Sequence, residues 1–600
     1  MTGLKKNELN IYLIICLLLC IYVVLRSIYV PIVHDEAVTF FNYINTGKFI
    51  PFINWGHHAD ANNHVLNSAI SHAFFKFFGS DLWVIRLAST LSLLILLIYV
   101  WKISSFLENL YVKWGFIVSF LGSHYLIEFF SLSRGYGMSI SFLIGAIYHL
   151  LWYVKNQKSI HLFGYSLMIL LGLMANLTLV NTAFIGFTLV LYILLAKRPH
   201  GLSLQQGLIT FFLVFIPLLG AILTSLKYQQ LELLYYGQGD SYWEVTVDSF
   251  FQRFTLIENP YYLVYPIILL VLFGCLYIVI LSFVKSKWHS ISDKANILAI
   301  FFFGNLLASI IQTSFMNVNY PEDRTALFFF PFLIGMVAFY ADSLPKARWM
   351  LIPFLYLPVQ FVFAINIDYN SFWKNERMTD EYFQIVLNDY LKNGEQPVVG
   401  GYTMRQVIWD YYNYKNGGKL GRLHCEDYLN DTISDYLIID NEHLNPYWSS
   451  LYEKQATDPY SNLSLIERKK RLIPTKVQDT SEEVWAEKDS REYILFGEYK
   501  GKDIEEKYIQ TRWDLFYQPE LFVSDVWLIL QGVDAEGNQT FFQYASLERL
   551  RADFKKDIEI KQKLVSPLIP KRTTSVKAYI RNLNKEPISF YRGKLSFYIY

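Results

Sequence analysis

Apolar runs long enough to cross a lipid bilayer follow one another through the first 366 of the 600 residues of this chain. Each crossing needs roughly 20 apolar residues. We predict about eleven transmembrane helices, at residues 10–32, 82–103, 114–132, 136–154, 161–178, 180–196, 207–226, 261–284, 295–315, 325–342 and 348–366. Beyond them charged residues become frequent. The sequence therefore predicts a polytopic α-helical membrane domain over residues 1–370, followed by a water-soluble region.

The distribution of charge between these helices predicts their orientation. Even-numbered connections carry the positive charge (Lys102, Lys113, Lys155, Lys158, Lys197, Arg198, Lys285, Lys287, Lys294, Lys346 and Arg348). Odd-numbered connections carry acids instead (Asp35, Glu36, Asp60, Asp240, Glu244, Asp248, Glu258, Glu322 and Asp323). Because positive loops stay in the cytoplasm, we expect a multi-pass protein of the cell (inner) membrane with a cytoplasmic N-terminus. The N-terminal run is read as an uncleaved anchor, and an odd number of spans places the C-terminal region on the extracytoplasmic (periplasmic) side.

The soluble region divides by its pattern into two parts. Helices and short strands alternate over residues 371–485, which predicts a small α/β unit. Residues 486–600 read as strands separated by turns, among them Asp534–Asn538, and predict a β-sandwich-like domain. The net charge of +1, with no basic stripe, argues against nucleic-acid binding. The 4 cysteines have neither a disulfide framework nor a metal-ligand spacing.

The segment His34-Asp35-Glu36 follows the first apolar run almost directly. Ionisable groups at a membrane surface are costly and need partners, water or a function. Asp35, with Glu36, could act as a general base on an acceptor hydroxyl. The alternative is an interfacial cap, in which these carboxylates only end the first span in solvent.

The rest of the first outer connection is rich in hydrogen-bonding side chains, namely Trp55, His57, His58, Asp60, Asn63 and His64. They could bind a sugar, and together with Asp35 or Glu36 they could hold a divalent metal ion. Their spacing matches no standard metal motif, and ordinary polar loop residues are the alternative.

Two further outer connections contain candidate residues. Glu128 follows His124 by four residues, on one helical face, and could supply a second carboxylate, with Arg134 as a phosphate ligand. The alternative is a Glu128–Arg134 pair that only stabilises the turn. Arg324 could bind phosphate in a bidentate manner, or could pair with Glu322 or Asp323 at the rim.

Local motifs over residues 10–340 resemble those of the GT-C membrane glycosyltransferases, in particular the group of the protein O-mannosyltransferases and the lipid A aminoarabinose transferases, as a bacterial member. The motifs are His34-Asp35-Glu36, Asn62–Asn67 leading to Phe77-Phe78-Gly79, Leu82–Ser89, Ser133–Met138 and Tyr320–Phe329. Their order along the chain and the topology make the resemblance more specific than any one of them.

The resemblance implies a polyprenyl-phosphate-linked sugar donor and an inverting transfer on the non-cytoplasmic face. It implies that Asp35 is the base, supported by Glu36, and that Glu128 is the acid of the second outer loop. Arg134 would be the basic residue that follows it, and Arg324 would help to hold the donor phosphate. Besides these arginines, we expect His34, His58, Asp60, Asn63, His64 and Tyr136 to bind substrate. No tandem sugar-binding insertion of the eukaryotic mannosyltransferase kind is present, so the acceptor (a protein hydroxyl, lipid A or another glycan) stays open.

Two other functions remain as alternatives. A flippase or transporter for a lipid-linked sugar usually has broken helices and polar groups near the bilayer midplane, whereas the charges here crowd the outer ends. A membrane-anchored carbohydrate-binding protein does not need about eleven spans.

Overall fold

The computed structural model describes residues 2–50, 60–196, 204–234, 241–257, 260–286, 290–291, 293–426, 433–480, 486–501, 504–518, 525–550 and 558–600. It divides into two compact units, one of Met1–Val30 with Asn42–Asp368 and one of Pro31–Phe41 with Tyr369–Tyr600. Residues 31–41, which carry His34-Asp35-Glu36, thus belong to the second unit although they follow the first span.

The first unit is helical. In chain order its helices are α1 (Thr2–Tyr29), then, after α2 of the second unit (His34–Thr39), α3 (Val65–Phe78), α4 (Leu82–Ser104), α5 (Leu110–Leu121), α6 (His124–Glu128), α7 (Gly135–Asn156), α8 (Ser159–Ala175), α9 (Val180–Ala196), α10 (Leu204–Thr210), α11 (Ile216–Gln230), α12 (Ser249–Thr255), α13 (Val264–Ser286), α14 (Lys294–Met316), α15 (Phe329–Ser343) and α16 (Tyr356–Ala364).

Eight helical stretches among the described residues are long and apolar enough to cross a membrane, and α5, α8 and α15 are shorter apolar helices. Each predicted span overlaps one of these helices, so the prediction of a polytopic helical membrane protein is confirmed. Two differences in the bounds have a local cause. The predicted span 114–132 divides, because α5 ends at Leu121 and Ser123 then caps α6 by accepting the Leu126 N–H at 3.4 Å. Helix α15 begins at Phe329, after a tight turn at Asp323–Ala326.

The second unit contains α2, α17 (Asp380–Asn393), α18 (Gln406–Lys415) and α19 (Pro446–Leu451), together with three sheets. The first sheet has the order β2-β1-β3-β5-β4, from β1 (Val399–Tyr402), β2 (His424–Glu426), β3 (Tyr436–Asp440), β4 (Tyr452–Thr457) and β5 (Leu463–Arg468). β1 pairs in parallel with β2 and β3, whereas β5 is antiparallel to β3 and β4. This is the predicted α/β unit.

The other two sheets pack face to face as the predicted sandwich. Their strands are β6 (Thr475–Thr480), β7 (Ala486–Asp489), β8 (Tyr493–Tyr499), β9 (Ile509–Gln518), β10 (Val526–Asp534), β11 (Gln539–Ser546), β12 (Ile558–Val565), β13 (Thr573–Asn582) and β14 (Ile588–Ile599). The orders are β11-β10-β13-β8 and β12-β9-β14-β6, with β7 also on β14. One apolar core, including Trp513, Leu528, Ile580 and Phe597, lies between them. The turn Asp534–Asn538 joins β10 to β11, with Gly537 at φ +89°.

Candidate active site

A cavity of about 250 Å³ lies at one end of the helical unit. Its lining comes from all five odd-numbered connections and the helix ends beside them. The lining residues include Ala61, Asn62, His64, Tyr136, Asn176, Thr178, Asn181, Ile222, Ser225, Tyr228, Gln229, Gln312, Asn319, Tyr320, Thr325 and Phe328. The connections that the charge pattern assigns to one side of the membrane therefore meet around one space.

Asn62 and Arg134 form the first polar group beside this cavity. Arg134 stands in extended conformation immediately before α7 and is 1% exposed. Its Nη2 donates to Asn62 Oδ1 at 2.6 Å, and its Cζ lies 5.7 Å from the centre of the Tyr136 ring. With Oδ1 accepting from the guanidinium, the Nδ2 amide is the hydrogen-bond donor side of Asn62.

Tyr136 and Arg324 form the second polar group. Tyr136 lies in the first turn of α7, edge-on to His64 with ring centres 4.6 Å apart. Arg324, 8% exposed, donates from Nε to the Tyr136 hydroxyl oxygen at 3.2 Å. The hydroxyl oxygen accepts this bond, so its own proton can be donated to another group.

A glycine allows this wall to pack closely. His64 donates from Nδ1 to the Ala175 carbonyl oxygen at 2.8 Å, where α8 ends. A Cβ atom on Gly135 would lie 2.0 Å from that same oxygen and 2.8 Å from His64 Cβ. Only a residue without a side chain lets α7 begin at this point.

The two acids next to Arg324 have different surroundings. Asp323 is paired with Arg253 of α12, with Nε and Oδ1 2.9 Å apart. The Glu322 N–H donates to Thr325 Oγ1 at 2.7 Å, and burial, followed by the charge of Asp323, raises the pKa of the Glu322 carboxyl. The ion pair that the structure gives to this segment thus joins Asp323 to α12, while Arg324 donates to Tyr136.

The remaining residues of the first outer connection have different roles. Asp60 Oδ1 accepts the Asn62 N–H at 2.8 Å, which fixes the loop that carries Asn62, and Asp60 interacts electrostatically with Tyr228. Asn63 donates to the Phe49 carbonyl at 2.9 Å and accepts from Ser68 Oγ at 3.2 Å, and it is not among the residues that line the cavity. His58 lies outside the described residues.

Glu128 forms a buried ion pair with Arg26 of α1. Arg26 Nη2 lies 2.7 Å from Glu128 Oε1, and the two side chains are 0% and 1% exposed. Arg26 also donates to the Asn366 carbonyl at 2.6 Å, and Tyr22 links it to His124, whose Nε2 lies 2.8 Å from the Tyr22 hydroxyl. His124 and Glu128 do share one helical face, with His124 Nδ1 3.8 Å from Glu128 Oε1.

The segment His34-Asp35-Glu36 forms the first turn of α2 in the second unit. Glu36 is 0% exposed, and its Oε2 accepts the Val33 N–H at 3.3 Å, so it caps α2. Asp35 is partly exposed, with its Oδ1 3.4 Å from His34 Nδ1. Neither carboxylate simply ends the first span in solvent.

Aromatic rings fix this segment within the second unit. Phe40, immediately after α2, packs against Tyr411 and Tyr414 of α18, with ring centres 5.2 Å apart in both cases. Phe41 packs against Tyr414 at 5.8 Å, and the Arg549 guanidinium lies 5.4 Å from the Phe41 ring centre. The position of Asp35 is therefore tied to α18.

The divalent metal ion remains a prediction from the sequence. Within the part of the chain that the structure describes, no three His, Cys, Asp or Glu side chains are grouped so as to hold a metal ion.

Sequence reasoning did not single out Arg26, Asn62, Asn181 or Gln312. Arg26 carried a usable signal, since an arginine within an apolar run is rare and almost always paired. Asn62 was visible only as part of a motif in which Asn63 and His64 were selected. Asn181 and Gln312 are polar residues within predicted spans, and only the packing of α9 on α14 reveals that they meet.

Comparisons with known proteins gave matches among solved structures. No family model and no curated protein matches the chain. ArnT from Cupriavidus metallidurans, bound to undecaprenyl phosphate, matches with 9% identity and a TM-score of 0.42, over 77% of this chain and 98% of that one. The same protein in the apo state matches with a TM-score of 0.39 and 9% identity over the same shares of both chains.

A second protein matches over a longer part of this chain. Arabinosyltransferase EmbB from Mycobacterium smegmatis matches with 10% identity and a TM-score of 0.32, over 97% of this chain and 64% of that one.

Proposed function

We propose that this protein transfers a sugar from a polyprenyl-phosphate-linked sugar donor to an acceptor hydroxyl. The observation that carries the proposal is the cavity with Asn62, His64 and Tyr136 at one wall, supported by the buried guanidinium groups of Arg134 and Arg324. Such a wall suits a phosphate anion, and the rest of the cavity suits the lipid that carries it.

The electrostatic argument concerns two charges that act through neutral groups. Arg134 and Arg324 each donate to an oxygen of a residue that lines the cavity, which favours Asn62 and Tyr136 as hydrogen-bond donors to an anion. Charge-assisted chains of this kind in a low-dielectric site stabilise a phosphate that gains negative charge as it leaves. No Asp or Glu is among the residues known to line the cavity in the described part of the chain, so no carboxylate there opposes an anion.

The lipid tail has an apolar surface to occupy. Val180, Ile222, Leu226, Met316 and Phe328 line the same cavity, and the first four lie in helical stretches long and apolar enough to cross a membrane. A polyprenyl chain bound along them keeps its contact with lipid, so the sugar donor need not leave the membrane.

The reaction that we propose is a single displacement. The acceptor hydroxyl oxygen forms a bond to C1 of the sugar, while the bond between C1 and the phosphate oxygen breaks and leaves its electron pair on the phosphate. The hydroxyl proton passes to Asp35, which we assign as general base from the sequence, with His34 and Glu36 beside it. Because attack and departure occur on opposite faces, the configuration at C1 inverts.

The topology supports catalysis on the extracytoplasmic face. The cavity is lined from odd-numbered connections, which carry acids, whereas lysines and arginines dominate the even-numbered ones. We place the site on the side away from the cytoplasm and leave the acceptor as a hydroxyl of a protein, lipid or glycan.

The test is sugar transfer by the full-length protein in liposomes, with radiolabelled polyprenyl-phosphate sugars and a membrane extract as acceptor. Asp35→Asn keeps the shape of the side chain and removes the base, so we expect kcat to fall on the order of 10²–10⁴-fold. Asp380→Asn, an exposed carboxylate at the start of α17, is the matched control.

Two outcomes would contradict the proposal. Transfer that survives Asp35→Asn unchanged removes Asp35 as the base. A wild-type protein that moves no sugar from any sugar donor, but carries labelled lipid across the liposome, makes it a flippase. Repeating the wild-type assay with and without a chelator tests the predicted divalent metal ion.

A further inference from the structure

Two polar contacts join α9 to α14, and they differ in what they face. Asn181 and Gln312 exchange hydrogen bonds through their carboxamides, at 2.8 Å in each direction. Next to them, Thr182 Oγ1 donates to Asn305 Oδ1 at 3.0 Å. Asn181 and Gln312 line the cavity, whereas Thr182 and Asn305 are 0% exposed and are not among its lining residues.

The first pair retains hydrogen-bonding capacity. A carboxamide has two N–H donors and two carbonyl lone pairs, and the reciprocal pairing uses one of each on Asn181 and on Gln312. The remaining donor and acceptor on each amide belong to side chains that line the cavity. Sugar hydroxyls also donate and accept hydrogen bonds, so they can pair with both groups. A lipid tail would leave these polar groups without partners, which costs free energy.

The neighbouring lining is neutral and polar. Amides and hydroxyls from three of the outer connections border the same space, namely Asn176, Thr178, Ser225, Gln229 and Asn319. The lining residues that the structure describes include no Asp, Glu, Lys or Arg side chain, so an amino or carboxylate group on a sugar would find no counter-ion among them.

We propose that the Asn181–Gln312 pair binds hydroxyl groups of the sugar of the lipid-linked substrate and selects an uncharged sugar. This inference rests on the proposed function and specifies its substrate. Helix pairing alone also explains an amide pair between two membrane helices, and Thr182–Asn305 provides that function on the same two helices without facing the cavity.

The experiment compares binding of two lipids to the full-length protein in detergent. The probes are undecaprenyl phosphate and undecaprenyl phosphate carrying mannose. In Gln312→Met and in Asn181→Leu with Gln312→Met, we expect the Kd for the mannose-bearing lipid to rise on the order of tenfold, since one or two hydrogen bonds are lost. The Kd for undecaprenyl phosphate without sugar should stay unchanged, and Thr182→Val should leave both values unchanged.

Several results would overturn the inference. Equal weakening of both lipids by Gln312→Met assigns the pair to helix packing, and no weakening of either removes it from the site. Tighter binding by the wild type of an aminosugar-bearing lipid than of the mannose-bearing one refutes the choice of an uncharged sugar. These measurements need no turnover, so a failure of sugar transfer refutes the proposed function without deciding the role of the pair.

Discussion

The buried ion pair between Arg26 and Glu128 makes the sharpest test of how the helical unit is held together. Its atoms are 2.7 Å apart, with side chains 0% and 1% exposed. At that distance and an effective dielectric constant of about 20, the attraction is about 6 kcal/mol. Desolvation offsets much of this gain, but removing one partner of a buried pair leaves the other uncompensated and costs about 3–5 kcal/mol.

We expect Glu128→Gln to lower the free energy of unfolding by an amount near the bottom of that range. The glutamine can still accept from Arg26, and the arginine keeps its bonds to the carbonyl and side-chain oxygens of Asn366 at 2.6 and 3.1 Å. What is lost is the negative charge. Arg26→Gln should destabilise by a similar amount, because it leaves the Glu128 carboxylate buried and uncompensated.

The assay is a double-mutant cycle on unfolding in mixed detergent micelles. The double variant Arg26→Gln with Glu128→Gln should be less destabilised than the sum of the single variants by about 1–3 kcal/mol. Additive single effects, or a Glu128→Gln protein as stable as the wild type, would refute the electrostatic reasoning. Sugar transfer by the double variant near the wild-type rate would further show that Glu128 acts as a structural partner of Arg26 and not as a catalytic carboxylate.

Three other predictions follow from local packing and charge. Gly135→Ala places a methyl group against the carbonyl that ends α8 and should weaken undecaprenyl phosphate binding at least tenfold. The control Gly220→Ala, at a position with open space around it, should leave the Kd unchanged. Equal Kd values for the two variants would contradict this prediction. Phe40→Ala removes a ring that is 0% exposed and should speed the amide hydrogen exchange of residues 34–41, as measured by mass spectrometry. The control Phe77→Ala removes a ring that is 82% exposed and should not change that exchange. Burial lowers the pKa of Lys563 to about 8, so between pH 8 and about 10.5 the unfolded chain binds one more proton than the folded chain. The free energy of unfolding therefore rises by about 3 kcal/mol across this pH range. Lys563→Met should remove that rise when the unfolding of both proteins is measured from pH 7 to 10.5.

The spans could be predicted from sequence because each needs only a run of apolar residues. The run at 114–132 contains no charge before Glu128, so hydropathy treats it as continuous. What divides it is local geometry: Gly122 follows the end of α5, and Ser123 caps α6. The strand β4 escaped prediction for the opposite reason, since it is largely exposed and shows no alternation of apolar and polar residues.

The candidate site could be predicted in part. The motifs pointed to His64, Arg134, Tyr136 and Arg324, and the structure places all four at or directly behind one wall of the cavity. The sequence could not reveal how they act, because Asn62 and Asn63 are adjacent residues of the same type. Only the structure shows that Asn62 accepts from Arg134, whereas Asn63 donates to the Phe49 carbonyl.

The two carboxylates expected to serve one site are held by different parts of the chain. Glu128 is fixed by Arg26 inside the helical unit, while Asp35 belongs to a turn whose rings pack on α18 of the second unit. The Glu128 carboxylate is already engaged in a buried ion pair with Arg26 at 2.7 Å. Asp35 is partly exposed, and its Oδ1 lies 3.4 Å from His34 Nδ1. We therefore propose Asp35, rather than Glu128, as the general base, and the rings that pack on α18 hold its turn in place within the second unit.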